Sequence, residues 1–233
     1  MKRSGSISQE NYLKAIFKLQ HEHGIASNQA IAEKLAATPA AVTGMLHKLT
    51  ELDWIDYTAY QGAKLTAKGR QIATSTIRKH RLWEVFLVEK LQFKWDAVHQ
   101  WAEELEHIGD ANFTNRLDAF LGCPSTDPHG DPIPDSNGDW KGNERVFSAD
   151  ALTRKQKFTV RGVSNSASDF LRHLDALKIQ LGKHFEVMDY FPFDGSWEWK
   201  DDQGIPIRVS REVAGQLLVE AIPTNRGNEN QES

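Results

Sequence analysis

The sequence predicts a mainly helical protein with small β parts: a helix-rich N-terminal half, then a half built of short strands. Three observations carry this. Apolar residues recur at helical spacing from Tyr12 to about residue 121. Gly and Pro then crowd a loop (Gly122, Pro124, Pro128, Gly130, Pro132, Pro134, Gly138, Gly142). Beyond it, short β-type runs alternate with turns, the pattern of a small barrel.

Taken in order, Ser8 is expected to cap a helix over 8–22 whose apolar stripe is Tyr12, Leu13, Ile16, Phe17 and Leu19. A short helix fits Ser27–Ala36, with Ile31 and Leu35 inward. Thr38 caps a third helix that starts at Pro39 and buries Val42, Met45, Leu46, Leu49 and Leu52. Trp54–Tyr57 and Lys64–Thr66 read as strands around a turn at Gln61-Gly62. Helical pattern resumes over Thr66–Leu91, Lys94–His107 and Asn112–Leu121. In the C-terminal part, strands are expected at Lys157–Val163, Phe185–Phe191, Ser196–Lys200, Ile207–Ser210 and Leu217–Ala221, with a helix at Ser166–Leu177. The expected domains are therefore 1–70, 71–122, a linker 123–145, the barrel 146–222 and a disordered tail 223–233.

Of the 233 residues, 39% are hydrophobic and 26% charged, enough for more than one core. No run nears the roughly 18–20 apolar residues of a membrane span. Met1–Ile7 lacks the apolar stretch of a secretory signal, and Cys123 is the single cysteine, so no intrachain disulfide can form. A cytoplasmic location without membrane contact is expected. The net charge of −4 speaks against nucleic acid, but its distribution does not. Residues 1–81 carry 12 Lys/Arg against 6 Asp/Glu, and the remainder 16 against 26. A basic first third suits a polyanion.

Three helices and a two-stranded wing within about 65 residues make a winged helix-turn-helix, a unit that reads double-stranded DNA. The outer side of its third helix offers Thr38, Pro39, Ala40, Ala41, Thr43, Gly44, His47 and Lys48, small or polar residues suited to a groove. Lys48 and the wing residue Lys64 are candidate phosphate contacts.

The strongest chemical signal is a later helix. His99, Glu103, Glu106 and His107 fall at i, i+4, i+7 and i+8, on one side, with Trp101, Ala102 and Leu105 on the other as a packing surface. The preceding helix adds His80 and Glu84 at i, i+4. Two helices bearing carboxylates and imidazoles on facing sides can hold one or two metal ions. Donors of this kind, without thiolate, suit manganese or ferrous iron better than structural zinc. No His-Glu-x-x-His pattern, nucleophile elbow or phosphate-binding loop accompanies them, so a metalloenzyme is disfavoured and no small-molecule substrate is expected. A metal-independent winged-helix regulator is the alternative from another class.

Several motifs together resemble one family. Glu10-Asn11-Tyr12-Leu13-Lys14-Ala15-Ile16, Thr38-Pro39-Ala40-Ala41-Val42-Thr43, Leu65-Thr66-Ala67-Lys68-Gly69, Arg78-Lys79-His80-Arg81-Leu82 and Glu106-His107 are similar to the diphtheria toxin repressor/manganese transport regulator family. The likeness runs through 1–121 and the linker residues Pro128–Pro134. It implies an N-terminal winged helix-turn-helix, a helical dimerisation domain and a C-terminal SH3-like (FeoA-type) β-barrel. It also implies a homodimeric repressor that binds palindromic operator DNA when Mn(II), or alternatively Fe(II), is bound, and controls metal-uptake genes.

The resemblance further implies a regulatory site of Asn11, Glu103, Glu106 and His107. A second site would draw on His80, Glu84 and His99 with Asp169, or, as in another branch, on Glu84 with Asp127 and His129. Position 103 is Cys in the iron-sensing branch and Glu in the manganese branch, so Glu103 favours manganese. Asn11 stands where Asp or Met is usual, and Glu10 is the alternative donor there. Helices between 66 and 121 are expected to form the dimer seam, with Phe86, Leu87, Trp95 and Trp101 as candidate anchors.

Overall fold

A computed structural model describes residues 5–139 and 145–223. Positions 140–144 of the expected linker and the expected tail beyond 223 lie outside the described residues. The chain forms two compact units. The first takes in the chain through Gln92, then His99–Ser125 and the stretch from Pro132; the second comprises Phe93–Val98, Thr126–Asp131 and the described residues from 145 onward.

The first unit opens with three capped helices. Helix α1 (Ile7–His23) begins at Ser6, not Ser8. Gln9 N donates to Ser6 Oγ and Ser6 N donates to Gln9 Oε1, a reciprocal box that Ser8, already inside the first turn, cannot make. Helix α2 (Asn28–Lys34) is capped by Ser27 and α3 (Pro39–Glu51) by Thr38, with Pro39 at the first helical position as expected. Strands β1 (Ile55–Thr58) and β2 (Gly62–Leu65) form the antiparallel wing.

Leu13, Ile16, Ile31, Val42, Leu46, Leu49 and Ile55 fill the core between these elements. Leu52, expected inward, is exposed because it is the C-cap of α3, one step past the buried stripe. Asn28 Nδ2 donates to Thr43 Oγ1 and to the Tyr57 hydroxyl, tying α2, α3 and the wing together.

Helix α4 (Ala67–Glu89) follows, 23 residues long and capped by Thr66. It packs on α1 through Ala73 and Ile77 of the shared core. Helices α5 (Val98–Leu105) and α6 (Ala111–Phe120) complete the unit. Leu82 and Val85 of α4 meet Leu117 and Leu121, and Arg78 clamps the pair by donating to Asn115 Oδ1 and Asp118 Oδ2, both at 2.7 Å. α5 starts four residues later than the periodicity predicts. Lys94–Ala97 is a turn instead, and Trp95 packs on the core of the second unit, its indole N–H donating to Asp175.

The second unit carries β3 (Val146–Ser148), β4 (Lys157–Val163), α7 (Ser168–Ala176), β5 (His184–Phe191), β6 (Ser196–Asp201), β7 (Pro206–Val209), α8 (Arg211–Gln216) and β8 (Leu217–Ala221). The expected barrel is a six-stranded antiparallel sheet in the order β3-β8-β4-β5-β6-β7, coiled by irregularities at Val160/Gly162 and Val187/Asp189. Phe158, Phe185 and Trp199 form its aromatic centre, covered by Leu171 and Leu174 of α7. β3 and α8 are absent from the sequence reading, being too short for a periodic signal.

One close approach fixes how α4 leaves the wing. A Cβ on Gly69 would lie 1.9 Å from the carbonyl oxygen of Trp54. Gly69→Ala should therefore cost more than the ~1 kcal/mol of an ordinary point substitution, read as a lowered midpoint in thermal denaturation.

Candidate metal centre

The donors expected on two helices do converge within the first unit. On α4, His80 and Glu84 lie one turn apart and both are buried. On α5 and the turn after it, His99 and Glu103 are partly exposed, while Glu106 is wholly buried and His107 nearly so. The backbone N–H of Glu106 still donates to Ala102 O, which keeps Glu106 in helical phase with Glu103 beyond the end of the helix. Trp101, expected in the packing surface, is 54% exposed.

Three atoms form a compact triangle. His80 Nε2 lies 3.0 Å from Glu84 Oε1 and 3.2 Å from His99 Nδ1, and His99 Nδ1 lies 3.3 Å from Glu84 Oε1. Octahedral bonds of roughly 2.1–2.2 Å place neighbouring donors roughly 3.0 Å apart, so the triangle matches one face of such a site. The other nitrogen of His80 is 2.6 Å from Glu106 Oε2. A carboxylate behind a ligating imidazole fixes its ring and leaves the far nitrogen's lone pair for a metal. His99, with 46% of its side chain exposed, leaves the triangle open to solvent on one side.

A second group lies beside it. Lys14 of α1 reaches between Glu103 and Glu106: its Nζ is 2.9 Å from Glu103 Oε1 and 2.6 and 2.8 Å from the two oxygens of Glu106. His107 Nε2 is 3.5 Å from Glu106 Oε1, and His107 Nδ1 lies 2.6 Å from Glu10 Oε2. Glu10 therefore stands behind the imidazole, where it orients the ring. On the same helix, Asn11 Oδ1 is buried and has no hydrogen-bond partner among the described residues. A buried acceptor left without a donor costs about 1–3 kcal/mol, and a cation would remove that cost. With an ammonium standing between the carboxylates and an orphaned amide oxygen on the helix that supplies that ammonium, these residues fit a cation site.

The remaining expected ligands belong to the second unit. Asp127 and His129 are buried together, Asp127 Oδ1 accepting the backbone N–H of His129 and of Asp131. The His129 ring stacks on Trp95 and its Nε2 contacts the Trp95 carbonyl. Asp169 is exposed in the first turn of α7, its Oδ1 accepting the backbone N–H of Phe170.

Comparison with known proteins gives three domain matches. Residues 6–63 match the N-terminal DNA binding domain of the iron dependent repressors, 66–135 their metal binding and dimerisation domain, and 149–221 the FeoA domain. The HTH-type regulator MntR of Oceanobacillus iheyensis is 34% identical over 110 residues, 47% of this chain and 74% of that protein. The chain belongs to the diphtheria toxin repressor/manganese transport regulator family.

Other members are similar over different spans. The iron-dependent repressor IdeR of Mycobacterium leprae is 33% identical over 125 residues; the match spans 54% of this chain and 54% of that protein. A manganese-dependent transcriptional repressor solved with manganese superposes with a TM-score of 0.81 at 30% identity, covering 92% of this chain and all of that one. The manganese regulator SloR gives 0.72 at 32%, covering 92% of this chain and 98% of that one.

Lys14 was not among the donors expected from the sequence, and Glu10 was expected only as an alternative donor. Both lie one turn or less from Asn11 on α1, so helical phase was the available signal. Their partners, 89 to 97 residues away, were not legible.

Burial alone would lower the pKa of His80, but its hydrogen bonds to Glu106 and Glu84 outweigh that and raise it. Glu103 is likewise pushed up by burial and brought below its usual range by Lys14. Because the folded pKa of His80 is raised, the protonated ring stabilises the chelated protein fully below about pH 6.5 and ceases to do so as pH rises through the raised value. Thermal midpoints measured in chelator should fall across that window, and His80→Gln should flatten the profile.

Proposed function

We propose that this protein is a manganese-dependent transcriptional repressor, acting in the cytoplasm, that binds palindromic operator DNA as a homodimer when metal is bound. The observation that carries the reading is the triangle of His80 Nε2, Glu84 Oε1 and His99 Nδ1, backed by buried Glu106. Asn11, Glu103, Glu106 and His107 would hold a second ion. Bound metal supplies positive charge that buried carboxylates otherwise draw from protons and lysine.

Ligation from α1 reaches the reading head directly, because Leu13 and Ile16 of the same helix pack on α2, α3 and the wing. Thr38, Pro39, Ala40, Gly44, His47 and Lys48 are exposed along α3, Thr43 is half-buried, and Lys64 is exposed on the wing. These are the groups we assign to the operator. Manganese is favoured over iron by Glu103, a hard oxygen donor. The iron-dependent name of the mycobacterial relatives makes Fe(II) the alternative. Asp127, His129 and Asp169 remain candidate ligands for the second unit.

The dimer seam is assigned to the apolar surface of α4–α6. Of the expected anchors, Leu87 is buried and Trp95 belongs to the second unit and packs on its core, whereas Trp101 is exposed and Phe86 half-buried. Ile108, Phe113 and Phe120 are exposed as well, and Phe113 and Phe120 continue an aromatic row with Trp83 and Phe86.

DNA duplexes selected from a random pool in Mn(II) should be retained with Mn(II) and released by chelator. Parallel titrations with Fe(II) and Zn(II) rank the activating metals. His80→Ala or Glu106→Ala should weaken metal-activated binding at least about tenfold; retention indifferent to chelator would leave a metal-independent regulator. Phe113→Glu together with Phe120→Glu should shift sedimentation toward the monomer while the circular dichroism spectrum stays unchanged.

A further inference from the structure

Lys14 is the group the metal reading leaves unexplained. Its ammonium occupies the space between Glu103 and Glu106, with three oxygens at 2.6–2.9 Å and only 11% of the side chain exposed. That is the place the Asn11, Glu103, Glu106 and His107 donors would give to an ion. In the triangle of His80, Glu84 and His99 the facing atoms lie 3.0–3.3 Å apart. They are two imidazole nitrogens and one carboxylate oxygen, all able to ligate.

We infer that Lys14 is a tethered counter-ion that competes with metal for Glu103 and Glu106. The inference rests on the metal-dependent reading and adds an order of loading to it. The triangle takes its ion without displacing Lys14, whose ammonium lies on Glu103 and Glu106 instead. The second group takes one only when Lys14 withdraws its ammonium, which the flexible four-carbon stem permits. Withdrawal exchanges one cation for another, so Glu106, entirely buried, is never left uncompensated. It also frees a lysine on α1, the helix that carries Leu13 and Ile16 into the reading head's core. Lys14 thus sets how much metal is needed before the second group fills.

The test uses the full chain and Mn(II) alone, with bound ion counted by the loss of the free Mn(II) paramagnetic resonance signal. The wild type should bind one ion tightly and a second more weakly. Lys14→Met should tighten the weaker step at least tenfold and leave the first within twofold, while Lys14→Arg, which keeps a cation in place, should behave as the wild type. A measurement on the unmodified chain covers the case of a misfolded variant. Brief labelling with acetic anhydride should modify Lys14 several-fold more once the second equivalent is bound. Unchanged or weakened binding in Lys14→Met, or labelling that does not rise with the second ion, overturns the inference. Absence of Mn(II) binding by any of the proteins overturns instead the metal reading on which it rests.

Discussion

Much of the first unit is organised around the carboxylate of Glu106, which has no exposure to solvent. An isolated charge in such a place costs several kcal/mol, so the fold must bring compensation from elsewhere. It does so from two directions: Lys14 arrives from α1 and His80 from α4, both at 2.6 Å. α1, α4 and the end of α5 are thereby held to one point by electrostatics as well as by apolar packing. Any change in what neutralises Glu106 must be felt by α1, and through α1 by the core beneath α3 and the wing.

The two donor groups are satisfied in different ways, and that difference is chemical. In the triangle, His80, Glu84 and His99 meet within 3.0–3.3 Å, and although burial works against it, His80 holds its proton more strongly than an ordinary histidine because of its hydrogen bonds to Glu106 and Glu84. Around Glu106, lysine does the neutralising, and Asn11 keeps an oxygen without a donor. Glu10 and Glu106 each sit behind an imidazole, so that both histidines are oriented by a buried carboxylate.

Much of the architecture was legible because its signals are local. Ser27, Thr38 and Thr66 cap helices three residues ahead of the amide they satisfy, and Pro39 opens α3 where its missing N–H costs nothing. Errors fell where a local rule had two solutions or a distant contact intervened. Ser6 outcompeted Ser8 because Gln9 could answer it. Trp95 left the helical pattern because its side chain packs on the second unit's core, and Leu52 lay past the end of its stripe. β3, with three residues, and α8, with six, are too short to show a period.

By itself the sequence determined the kinds of donor and their phase: His80 with Glu84, and His99 with Glu103, Glu106 and His107, each on one side of a helix. It determined too that a winged reading head precedes them. Only the tertiary structure decided which donors meet, that Glu10 backs His107 without joining the other oxygens, and that Lys14 stands among the carboxylates. The reason is geometric. Helical periodicity specifies the side from which a residue projects, whereas the angle and depth at which α1, α4 and α5 pack decide what it finds there, across some ninety residues of intervening chain.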